Sequence, residues 1–90
     1  MDAKLAIAAA KAHLQDVFAD EMMSAARVEE IWLEDDGRIW CVTLSFFRKP
    51  DELLTNVAGR FATNDSKVIR IENKAGGGPL SIKDRVRVAA

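Results

Sequence analysis

Apolar residues recur at three- and four-residue spacing through the first part of the chain. Ile7, Ala10, Leu14, Val17 and Phe18 share one helical face, and Met22 and Ala25 extend the stripe. Alanine is dense and neither Gly nor Pro interrupts from Ala3 to Met23, so the pattern predicts one helix over that span, with Asp2 as its N-cap. The stripe reads as a core-packing face, with a partner-binding helix as the sharper alternative. A membrane-surface role is disfavoured because the polar positions are not strongly basic.

Beyond the helix the period shortens to two. Val28 to Glu34 predicts a first strand, Asp35-Asp36-Gly37-Arg38 a tight turn, and Ile39 to Phe47 a second strand. In the second strand Trp40, Val42, Leu44 and Phe46 alternate with Cys41, Thr43 and Ser45, the mark of a sheet covered on one side. Ile31 and Leu33 fit the inward face of the first strand, whereas Val28 is out of phase; a bulge near Glu29-Glu30 repairs the phase. Residues 48–66 then form a long connection. Leu53, Leu54, Val57 and Phe61 have the spacing of a short amphipathic helical turn, and Gly59 is placed to end it, which predicts a partly ordered flap. Lys67 to Glu72 reads as a third strand with Ile69 and Ile71 on one face. Asn73 to Pro79 is a Gly-rich turn, and Leu80 to Val88 a last strand with Leu80 and Ile82 inward. The expected architecture is a single α+β domain over residues 1–90, with an N-terminal helix packed on a four-stranded antiparallel sheet in the order α-β-β-β-β.

Composition narrows the classes. Ninety residues suffice for one domain. One Cys cannot close an internal disulfide, and one Cys with one His cannot build a common zinc site, so no metal and no cofactor are expected. No run approaches the roughly 20 apolar residues of a bilayer span. The apolar start from Met1 to Ala10 is cut by Lys11, short of an export signal, and the expectation is a cytoplasmic protein without a membrane partner. The net charge of -1 conceals a segregation: residues 1–36 carry three basic and nine acidic groups, residues 37–90 ten basic and five acidic. Arg70, Lys83, Arg85 and Arg87 form a candidate basic strip on the outward face of the last hairpin. A solvated sheet face or a site for an acidic partner both fit it; nucleic acid is disfavoured by the near-neutral total and by few interleaved aromatics.

Candidate catalytic groups are sparse. His13 has Asp16 and Asp20 nearby on its helix, but the only nominal nucleophiles are Ser24 and Cys41, and no motif brings either close. Cys41 reads as a half-buried structural thiol, since no neighbouring cation or helix start is in sequence to activate it. Gly76-Gly77-Gly78-Pro79 reads as a hairpin turn, because a phosphate loop opens a helix and here a strand follows. Glu34-Asp35-Asp36 lacks the spaced oxygens of a calcium loop. No enzyme is expected.

The order of elements resembles the PepSY domain pattern. The likeness is carried by Leu5-Ala6-Ile7-Ala8 in the helix, Val28-Glu29-Glu30-Ile31-Trp32-Leu33, the Asp-Asp-Gly turn, and Trp40-Cys41-Val42-Thr43-Leu44. It ends with Lys67-Val68-Ile69-Arg70-Ile71-Glu72-Asn73-Lys74-Ala75-Gly76 and then Leu80-Ser81-Ile82. This resemblance implies a cystatin-like α+β fold and a binding or inhibitory role toward peptidases, with no catalytic residues. The leading expectation is therefore a non-enzymatic module that binds an unknown protein partner through the open sheet face and the 48–66 flap. Its candidate contact residues are Trp32, Thr43, Leu53, Leu54, Val57, Phe61, Arg70, Lys83 and Arg85. Trp32 points outward if Ile31 and Leu33 point inward; the bulge could instead rotate it into the core. A homodimer by edge-strand or sheet-face contact is the other partnership. The alternatives are a small-molecule or lipid binder in the helix–sheet cleft with the flap as lid, and a weak nucleic-acid binder through the C-terminal basic strip.

Overall fold

The computed structural model describes residues 1–49 and 63–85. The first helix, α1 (Ala3–Phe18), starts where the sequence places its cap: Asp2 is extended, and its carboxylate accepts the Leu5 N–H at 2.8 Å. Ala6, Ala10 and Leu14, spaced by four, are fully buried, while Ile7 and Phe18 pack at the margin. The helix stops at Phe18, five residues before the expected end, and Val17 is exposed. The chain leaves the helix because it finds partners in the sheet. The Met23 N–H donates to the Phe47 carbonyl at 2.7 Å, the Lys49 N–H to the Glu21 carbonyl at 2.8 Å, and Met22 bridges to Arg48. Met22 and Ala25 therefore do not continue the helical stripe.

Four strands follow: β1 (Arg27–Glu34), β2 (Ile39–Arg48), β3 (Thr63–Glu72) and β4 (Pro79–Asp84). They form one antiparallel sheet in the order β1-β2-β3-β4, and α1 packs across β2, β3 and β4. This is the expected two-layer α+β arrangement. The core lies between Ala6, Ala10 and Leu14 of the helix and Val42, Leu44, Phe46, Ile69 and Ile71 of the two central strands. The hairpin turn places Asp35, Asp36 and Gly37 all at positive φ, and Gly37 is the one residue there without a Cβ to strain.

The bulge expected in β1 is present: Val28 pairs with Leu44 and Glu30 with Thr43, which leaves Glu29 as the extra residue. Two strand details differ from the sequence reading. β3 begins at Thr63, because Thr63 to Ser66 pair with the end of β2, which shortens the connection expected over 48–66. Leu80 is turned outward and half exposed instead of inward. Arg70 pairs with Ser81 and Ile71 with Pro79, so Leu80 is skipped by the register while Ile82 keeps its place against the core. Leu53, Leu54, Val57 and Phe61, the expected flap residues, lie outside the described residues, as does Arg87.

Two predictions follow from the packing. Leu14→Ala removes the largest buried side chain of the helix and lowers stability by about 2–5 kcal/mol in urea unfolding. A Cβ at Gly77 collides with the Glu72 carbonyl oxygen, whereas one at Gly78 meets open space. Gly77→Ala accordingly costs more than about 1 kcal/mol while Gly78→Ala leaves the melting temperature nearly unchanged.

Candidate functional site

Strand alternation sends Cys41, Thr43 and Ser45 of β2 to the side of the sheet opposite α1. The register sets Trp32 and Glu30 beside Cys41 and Thr43 from β1, and Arg70 and Val68 beside them from β3. On the outermost strand, Ser81 sits beside Arg70 and Lys83 beside Val68. The short side chains of β2 thus form a floor and the long ones around them form walls. Between the walls runs a trough of about 440 Å³, lined by Glu30, Trp32, Glu34, Cys41, Val68, Arg70 and Lys83, with Asp84 and Arg85 at one end.

The walls carry opposite charge. Glu34 accepts a hydrogen bond from the Trp32 indole N–H at 3.1 Å, and its other oxygen lies 3.7 Å from the Arg70 Nε. Glu30 faces Arg85 at 3.4 Å. Glu29, the bulged residue, reaches over the same face to accept from the Ser45 hydroxyl at 2.6 Å. The Trp32 hydrogen bond, then the Cys41 thiol and the charges of Arg70 and Lys83, hold the Glu34 carboxyl below its ordinary range. Burial pushes the Cys41 thiol up, and the neighbouring Glu34 adds to that against the opposing effect of Arg70. The thiol stays protonated at neutral pH and is a poor nucleophile. His13 lies on α1, across the sheet from it.

Trp32, Arg70, Lys83 and Arg85 converge on this trough as candidate contact residues, and Trp32 points outward. Thr43 is on the same face but is fully buried between Glu30 of β1 and Val68 of β3, so it belongs to the floor and not to the contact surface. Three polar atoms under the walls, Thr43 Oγ1, Arg70 Nε and Ser81 Oγ, have no hydrogen-bond partner among the described residues. The acidic wall, Glu30 and Glu34, was not singled out from the sequence. Its signal was the spacing of Glu30, Trp32 and Glu34 at alternate positions, which puts all three on one side of a strand.

The lowered Glu34 value sets a pH dependence. Ionised Glu34 contributes to stability above its ordinary value of 4.5, and the contribution is lost as pH falls through the lower folded value. Glu34→Gln therefore shows a shallower loss of stability on acidification than the parent chain in denaturant unfolding at stepped pH. Parallel acid limbs for the two proteins would show that the Trp32 and Arg70 contacts do not act on this carboxyl.

No protein-family model, no curated protein and no solved structure matches this chain.

Proposed function

We propose that this chain is a non-enzymatic binding module of the cytoplasm that acts by protein–protein contact through the open sheet face, in an inhibitory or regulatory role of the kind the PepSY-like resemblance implies. The observation that carries this reading is the trough itself. It combines an aromatic wall, Trp32, with rows of opposite charge, and Thr43 Oγ1 in its floor and Arg70 Nε in its wall have no hydrogen-bond partner among the described residues. Amphipathic aromatics and arginines are the side chains that anchor protein interfaces. An acidic segment of the partner suits the basic row best. Among the described residues Lys83 has no carboxylate in ion-pair contact, while Arg70 and Arg85 face Glu34 and Glu30 only loosely and can be drawn to a better acceptor. A basic row of three cations on a chain of net charge -1 is short for a phosphate backbone, which weakens the nucleic-acid alternative.

The buried Cys41 thiol, pushed up by desolvation and by Glu34, and the placement of His13 in the other layer support a non-enzymatic role. At the helix–sheet interface Ala6, Ala10 and Leu14 meet fully buried partners, which favours the sheet face over that interface as the binding surface.

The test is affinity capture from host extract with the parent chain and with Trp32→Ala and Lys83→Glu, each first shown to keep the parent circular dichroism and melting curve. Each substitution reduces the specifically captured protein by roughly tenfold or more. Equal capture by all three proteins would overturn the assignment of the sheet face.

A further inference from the structure

We infer that β1 is a self-complementary edge through which two copies of this chain pair antiparallel into one continuous eight-stranded sheet. This goes beyond the sheet-face reading above and does not depend on it. Among the described residues the two edges of the sheet are β1 and β4. They are built differently. The described part of β4 has six residues, opens with Pro79 and carries Lys83, features that discourage strand addition. β1 has eight residues with neither Pro nor Lys. Its helix-side residues are Val28, Ile31 and Leu33, which pair with Leu44, Val42 and Trp40. Because α1 lies over the other three strands, Val28 and Leu33 remain 38% and 46% exposed.

The Glu29 bulge selects the register. It places Val28 and Leu33 on the same side of the sheet, and Arg27 and Glu34 together on the other. A two-fold axis through Ile31 then sets Val28 against Leu33 of the partner subunit, and Arg27 against Glu34 of the partner subunit. Glu29 and Glu30 together oppose Trp32 of the partner subunit, repeating the two-against-one count that the bulge already makes with β2. Apolar meets apolar on the helix side and cation meets anion on the other, which is the pairing that stabilises antiparallel neighbours. The register with Trp32 on the axis instead sets Glu30 against Glu34 of the partner subunit, two like charges, and is disfavoured. In the favoured register, Arg27 of the partner subunit stands beside Glu34 at the acidic wall of the trough, so each copy completes the other's site.

The experiment reads register as well as mass. Sedimentation of the parent chain over a rising concentration series shows a dimer of twice 9.9 kDa. Val28→Lys with Leu33→Lys stays monomeric at the same concentrations with an unchanged circular dichroism spectrum. Under mild oxidation the double variant Val28→Cys with Leu33→Cys forms a covalent dimer. Within one chain these positions are about 16 Å apart along the strand and cannot bridge. Leu33→Cys alone forms none, since position 33 faces position 28 across the axis. Native Cys41 is buried and does not contribute. A parent chain that remains monomeric throughout, a lysine variant that still dimerises, or equal cross-linking by the single and double cysteine variants would each overturn the inference.

Discussion

The structure depends on one helix having to serve four strands. An α-helix with its side chains is about 10–12 Å across and strands are about 4.8 Å apart, so a single helix spans about three strands, here β2, β3 and β4. The stripe of Ala6, Ala10 and Leu14 brings α1 down onto Val42, Leu44, Ile69 and Ile71, and these side chains are excluded from water altogether. What the helix does not cover has to be managed by other means. On the far face, Cys41, Thr43 and Ser45 are buried between their flanking pairs: Trp32 and Arg70 beside Cys41, Glu30 and Val68 beside Thr43, and Arg27 and Ser66 beside Ser45, with Glu29 bonded to the Ser45 hydroxyl. At β1, Val28 and Leu33 stay partly in water.

The end of the helix is held by charge as much as by apolar contact. Phe18 packs on Phe46 with ring centres 6.0 Å apart, and both Arg48 and Lys67 place cationic groups near the Phe18 ring, at 5.8 and 5.3 Å. Lys67 is almost fully buried, which a lone ammonium would not tolerate; it bonds to Asp84 and lies 3.5 Å from Asp65. The Lys67 hydrogen bond, followed by its charge, keeps the Asp84 carboxyl below the ordinary range. Arg48 links Asp65 to Glu21, so the residues just after α1 are tied to the ends of β2 and β3. The same ties draw the chain out of its helix at Phe18.

The charge segregation along the sequence acquires a spatial meaning on the far face. Glu30 and Glu34 come from the acidic first 36 residues of the chain, and Arg70, Lys83 and Arg85 from the basic remainder. Folding sets the two groups on opposite walls of one trough, 3.4 to 3.7 Å apart at the two crossing pairs. Those pairs are long enough to leave hydrogen-bonding capacity unused. Arg70 Nε, the donor of the longer pair, makes no hydrogen bond at that distance.

Local chemistry was legible in the sequence. The Asp2 cap, the first hairpin with Gly37, the inward row of Trp40, Val42, Leu44 and Phe46, and the β1 bulge all follow from period, propensity and phase within a few residues. The α+β class follows from the same alternation, whereas the side taken by Trp32, left open by the bulge, was decided by its pairing with Cys41. The helix end, the start of β3, the outward turn of Leu80 and the burial of Thr43 were decided only by the tertiary structure. Each depends on a partner far away in the chain: the Phe47 and Glu21 backbone groups for the helix end, the tail of β2 for Thr63 to Ser66, the skipped register opposite Ile71 for Leu80, and the flanking Glu30 and Val68 for Thr43. Periodicity reports which face a residue takes within its own element. It carries no information on which distant backbone groups compete for a segment, or on how high the side chains stand on the strands beside it.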